Sequence, residues 1–119
     1  MGTFSVRVFV ANPDWPEKGR ELELLVDTGS TASKVQRAIL AELGLVPKLR
    51  SRALAADGRE VVREVGVALF SLEGRTSIAP VIFGETDEIQ SIGATTLEML
   101  GLAVDPVDRR LLPKPFLSK

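Results

Sequence analysis

The sequence predicts a single, mostly β domain with one or two short helices. Three observations lead there. Short apolar stretches alternate with period two, as half-buried strands do. Glycine-containing turn pairs, Asp57-Gly58 and Glu73-Gly74, separate several of them. Helical periodicity appears only twice, each time in a short stretch closed by glycine.

In chain order, Phe4, Val6, Val8 and Val10 fall on one side of a first strand, with Ser5, Arg7 and Phe9 on the other. Residues 12–19 contain two prolines and a glycine and read as a loop, with Trp15 as its anchor. Residues 21–26 read as a second strand, paired with the first, that runs into Asp27-Thr28-Gly29-Ser30. Residues 33–43 switch to a helical period, with Val35, Ala38, Ile39 and Leu43 on one face. Ser33 and Gln36 form a candidate capping box, and Gly44 a stop.

Residues 49–55 and 60–67 then form a hairpin around Asp57-Gly58, and residues 67–72 and 76–83 another around Glu73-Gly74. A polar loop over 84–88 leads to a short strand over 89–92. Thr95 or Thr96 caps a second helix that ends at Gly101. Residues 102–104 and 111–112 are the last candidate strands, and Pro113 and Pro115 keep the tail out of a sheet interior. The whole of 1–119 reads as one domain, with a core over about 5–112 and a short C-terminal tail. A faint internal echo is also present. A strand, a glycine turn, a helix and Leu-Gly-Leu occur once through Leu43-Gly44-Leu45 and again through Leu100-Gly101-Leu102. Two related halves about a pseudo-twofold axis would produce it, and so would two unrelated helix stops.

Composition narrows the chemistry. The 119 residues contain no cysteine and no histidine. Thiol nucleophiles, disulfides, Ser-His-Asp catalysis and the commonest metal ligand are thereby excluded. A catalyst working near neutral pH must be a carboxylate, a lysine or a terminus. The formal net charge of -1 and scattered arginines give no nucleic-acid footprint. No apolar run is long enough for a membrane span, and the N-terminal stretch lacks a signal peptide's apolar segment, so a cytoplasmic protein is expected.

Asp27 follows the apolar run Leu24-Leu25-Val26, which desolvates it. Peptide hydrolysis without a metal or covalent nucleophile needs one group to activate water and another to protonate the leaving amine. Two carboxyls sharing a proton can do both, because like charges a few ångströms apart do not both ionise. The chain offers one such aspartate, and a twofold axis would supply the second. Gly29 lets backbone approach the carboxylate, and Thr28 and Ser30 bring hydroxyls beside it. On its own the motif reads first as a strand-to-turn connection, since Asp and Gly favour turns.

Leu24-Leu25-Val26-Asp27-Thr28-Gly29-Ser30, a hairpin-rich middle, and then Ile92-Gly93-Ala94-Thr95-Thr96-Leu97-Glu98-Met99-Leu100-Gly101-Leu102 together resemble the retropepsin-like (retroviral-type) aspartic proteases, in particular their bacterial single-domain branch. The resemblance implies a closed acid-protease barrel and an aspartic endopeptidase working as a homodimer without a cofactor. Its substrate would be a polypeptide, its water held between two Asp27 carboxyls. It makes Asp27 the catalytic aspartate, Thr28 part of a hydrogen-bond lock across the dimer axis, and Gly29 a neighbour of the substrate backbone. Ser30 is assigned to substrate binding beside it. The hairpin around Ala55, Ala56, Asp57 and Gly58 becomes the flap. Ile89 and Ile92 would help line side-chain pockets, with Gly93 packed behind the catalytic loop. Where retroviral enzymes pair an arginine with an acid, this chain has Ala94 and Thr31. A non-catalytic dimerisation or peptide-binding module on the same fold is the alternative. Asp87 and Glu88 are read as a solvated loop, and Asp105 before Pro106 as turn chemistry.

Overall fold

A computed structural model describes residues 3–55 and 57–114. Among them run β1 (Ser5–Asn12), β2 (Trp15–Asp27), β3 (Ser33–Gln36), α1 (Arg37–Glu42), β4 (Leu49–Leu54), β5 (Glu60–Leu72), β6 (Arg75–Gly84), β7 (Ser91–Gly93), α2 (Ala94–Met99), β8 (Leu102–Asp105) and β9 (Arg110–Pro113). The fold is mostly β with two short helices, as the alternation predicts.

The main sheet has the order β1-β2-β7-β3-β6-β5-β4, and a further pairing joins β1 to β5. Six strands therefore form a ring, with β4 attached outside it as the outer strand of a hairpin. The inward positions are the alternate apolar residues of the sequence. Val8, Val10, Leu24, Val35, Phe70, Val81 and Ile92 are completely buried. Leu40 and Leu97 close the core from the two helices.

The ring has an internal twofold. β1 and β5 pair antiparallel, as do β3 and β7, while β2 runs parallel to β7 and β6 parallel to β3. One constant displacement along the sequence carries Leu22 to Ala79, Leu24 to Val81, Val35 to Ile92, Leu40 to Leu97 and Gly44 to Gly101. Each of the four apolar pairs is buried in both halves. The two glycines both sit at positive φ, +81° and +72°, where a side chain would be strained. The echo through the two Leu-Gly-Leu segments is thus a repeat. The strands that precede the helices are β3 and β7, however, so Asp27 at the end of β2 corresponds to Gly84 at the end of β6.

Several local expectations differ. Residues 12–19 are not a loop: β2 begins at Trp15, and only Pro13 and Asp14 form the turn. A register shift in β1 between Val10 and Asn12 accommodates the prolines. Gly19 is needed because a β-carbon there would fall 2.5 Å from the Val10 carbonyl oxygen as well as 2.4 Å from the Phe9 ring. Trp15 lies over Gly44, so it covers the end of the α1 segment, while remaining 53% exposed.

Residues 33–43 are not one helix. Ser33–Gln36 is a strand laid parallel to β6, and α1 starts only at Arg37. No side chain caps it: the N-cap position falls on Gln36, and Ser33 lies upstream in β3, where its hydroxyl serves Gly93. Ala38 is exposed and Leu40 is the helix residue in the core. The two central hairpins share one long strand, β5. The short strand expected over 89–92 is shifted to Ser91–Gly93. α2 starts from Gly93 rather than from a threonine cap, and Thr96 is buried inside it. The C-terminal candidates do form a hairpin, β8–β9. Asp105 is its turn residue, accepting the Val107 and Asp108 N–H groups at 3.0 and 3.3 Å. Pro115 and the tail beyond it lie outside the described residues.

Candidate active site

Asp27 ends β2, half-buried, with its backbone registered against Gly93 of β7. The chain then turns sharply: the Ser30 N–H donates to the Asp27 carbonyl at 3.2 Å. This turn folds two donors back onto the carboxylate. The Gly29 N–H reaches Oδ1 at 3.1 Å and the Ser30 hydroxyl reaches Oδ2 at 3.0 Å. Each oxygen is thereby oriented and the side chain held in one rotamer. Thr28 is exposed at the apex.

The loop is held from behind by α2. Ala94 N–H donates to the Ser30 carbonyl at 2.8 Å and Thr95 N–H to the Thr31 carbonyl at 2.9 Å. These two backbone bonds occupy the place where the sequence lacks an arginine–acid pair. Beneath them, Ser33 Oγ accepts the Gly93 N–H at 2.9 Å and lies 2.6 Å from Thr96 Oγ1. Ser33 and Thr96 are both fully buried. This hydroxyl pair was invisible in the sequence, since its members are far apart in the chain and neither stands out by type.

Opposite the loop stands the β4–β5 hairpin. Its turn is closed by Ala55 N–H to the Arg59 carbonyl at 2.8 Å and by Gly58 at φ +87°. Asp57 accepts the Arg59 backbone N–H at 3.0 Å and its side-chain Nε at 2.6 Å. The Arg59 backbone N–H, and then its guanidinium, hold the Asp57 carboxyl below the usual carboxylate range. Between hairpin and loop lies a cleft of about 510 Å³, lined among others by Ser30, Ala32, Ala53, Leu54 and Ala55. Ala56 lies outside the described residues.

The pocket residues need correction. Ile92 is completely buried in the core and offers no surface to the cleft. Its position on β7 points inward, and its neighbour Ser91 lines the cleft instead. Ile89 is 68% exposed in the loop before β7 and is not among the cleft residues. Gly93 is buried behind the loop and faces Ala32 rather than the cleft. Glu88, read as solvated, is instead ion-paired and largely buried. The Arg63 guanidinium engages both its oxygens, and Lys34 Nζ approaches at 3.4 Å. Hydrogen bonding from Arg63, above all, pulls the Glu88 carboxyl down to about 2.

Among the described residues, no group of three or more potential ligands is placed to hold a metal ion. No helix there is long and apolar enough to cross a membrane.

Comparison with known proteins agrees with this architecture. The simian foamy virus (mac) protease has a TM-score of 0.58 at 20% identity, over 79% of this chain and 91% of that one. The EIAV protease, solved with the inhibitor HBY-793, has a TM-score of 0.62 at 16% identity, over 84% and 89%. A retropepsin-like aspartic protease from Rickettsia conorii has a TM-score of 0.56 at 17% identity, over 87% and 88%. These likenesses establish a retropepsin-like fold. A search of curated proteins by sequence gives no match. The aspartyl protease family model matches residues 17–104, a span that includes the Asp27 turn, the hairpin and α2. On that match over most of its length, the chain belongs to the aspartyl protease family.

Proposed function

We propose that the protein is an aspartic endopeptidase that acts as a homodimer, with Asp27 as the catalytic residue of each copy. The observation that carries this reading is the Asp27 carboxylate itself. It is oriented on both oxygens by Gly29 and Ser30 and is half-exposed, and Ser30 beside it lines the cleft under the β4–β5 hairpin. The internal twofold does not supply a second acid. Its equivalent of Asp27 is Gly84, at the opposite end of the ring because β2 and β6 run in opposite senses. A second copy of the chain would bring Asp27 to Asp27, with the exposed Thr28 at the axis.

In that dimer one carboxyl is ionised and activates a water held between the pair. The other, protonated, hydrogen-bonds the scissile carbonyl and stabilises the oxyanion that forms. The leaving amine then takes a proton from the pair. The substrate lies extended under the β4–β5 hairpin, which excludes water from the reacting bond. Ser30 and Gly29 act by holding the carboxylate, while Gly93, Ser33 and Thr96 hold the loop.

Cleavage of a mixed peptide library from about pH 3 to pH 8 tests the reading, comparing wild type with Asp27→Ala at concentrations that favour association. Products from wild type alone are expected, together with a dimer by ultracentrifugation. A protein that stays monomeric while cleaving, or an Asp27→Ala variant that cleaves equally, overturns it. A dimer that binds peptides but cleaves none makes the fold a binding module.

A further inference from the structure

The groove under the β4–β5 hairpin is chemically uneven. Leu49, Val65 and Pro80 line one part of it. Lys34, Arg63 and Glu88 line another. These three side chains are only 26%, 25% and 23% exposed, so their charges act in a setting less screened than open water.

Glu88 is saturated. Its Oε1 accepts Arg63 Nη1 and the Glu85 N–H, both at 2.8 Å. Its Oε2 accepts Arg63 Nη2 and, at 3.4 Å, Lys34 Nζ. A carboxylate has about four acceptor sites, and these contacts fill them. Both cations have more N–H donors than this one carboxylate engages. Within this triad two cations face one anion. The neighbouring Arg37 lies between two anions, Glu64 at 2.8 Å and Glu85 at 3.1 Å, so the positive excess is local to Lys34 and Arg63, and their spare N–H donors set what this wall accepts. Arg59 is paired with Asp57, and Asp87 is exposed to solvent that screens it.

We infer that this part of the groove is a side-chain subsite for an acidic residue of the bound peptide, with Lys34 and Arg63 determining the specificity. The inference rests on the reading of the cleft as a substrate groove. An entering carboxylate meets the spare N–H donors of two cations. An entering ammonium meets a carboxylate with no acceptor site left and two like charges. A neutral amide falls between.

The test is cleavage of peptides that differ only in carrying Glu, Gln or Lys at one position near the cleaved bond, each position being scanned in turn. Wild type should favour Glu over Lys at one position by roughly tenfold in kcat/KM, about 1.4 kcal/mol, and high salt should narrow the gap. Lys34→Met keeps the aliphatic stem packed against Gly84 and should bring the preference close to that for Gln. Lys34→Glu should invert it. The same peptides are also titrated against Asp27→Asn, which reads binding without cleavage. Cleavage with no acidic preference at any position, or a ranking unmoved by both Lys34 variants, overturns the inference and leaves the protease reading standing. Acidic-selective, Lys34-dependent binding with no cleavage by wild type keeps the inference and removes the protease reading. Neither cleavage nor binding of any of the peptides overturns both.

Discussion

Gly93 lies so close to Ala32 that a β-carbon on it would stand 2.6 Å from the Ala32 carbonyl oxygen and 2.8 Å from that of Ser30. Its neighbours are backbone, which cannot swing aside as a side chain would. Gly93→Ala must therefore push the Asp27 loop away from α2. It should destabilise the protein by about 1–3 kcal/mol, seen as a lower Tm, and lose more activity than stability. Unchanged kcat/KM in a folded Gly93→Ala protein would show that the loop position is not critical.

Ser33 holds the same loop from beneath. Ser33→Ala leaves the buried Gly93 N–H and Thr96 hydroxyl without their partner and should cost about 1–3 kcal/mol in denaturant unfolding. Thr96→Val on top of it removes one of those orphaned groups. The double variant should therefore lose less than the two single losses added together. Strict additivity would mean that the two hydroxyls do not interact in solution.

Ser30→Ala removes the hydroxyl that orients Asp27 Oδ2 and nothing in the core. Stability should change by less than about 1 kcal/mol, since Ser30 is only half-buried. Cleavage should fall by roughly tenfold, mostly in kcat, because the carboxylate gains rotational freedom. A loss confined to KM would instead place Ser30 in substrate binding.

Glu88 sets a pH dependence. Its folded carboxyl titrates near 2, below an ordinary value of 4.5, with Arg63 as the main cause. A depressed carboxyl stabilises the fold above the unfolded value and loses that contribution as pH falls. Stability should therefore decline between about pH 4.5 and pH 2, by up to about 3 kcal/mol. Glu88→Gln should be less stable than wild type at pH 6 and nearly equal to it at pH 2. Parallel stability curves for the two proteins over that window would rule the ion cluster out as the source.

Much of this molecule was legible one segment at a time. The alternation of β1, the Glu73-Gly74 turn and the glycines that end both helices depend on neighbours in sequence, and these appear where the residues say. Local reading failed where a distant partner outweighed a local preference. Ser33 looks like a helix cap but serves as a buried acceptor for Gly93. Val35 fits a helical face but pairs with Phe83 in a parallel ladder. Ile92 looks like a pocket residue but faces the core.

The sequence by itself determined the fold class, the aspartate that could carry the chemistry and the exclusion of histidine and cysteine mechanisms, because these follow from residue type and short-range period. Only the tertiary structure decided what surrounds that aspartate. The ring brings β7 beside β2 and so sets Gly93 behind Asp27. It also carries Arg63, Glu88 and Lys34 from three separate segments to one wall of the cleft. Ion pairs and close backbone contacts of this kind act through space, and chain spacing carries no record of which residues will meet.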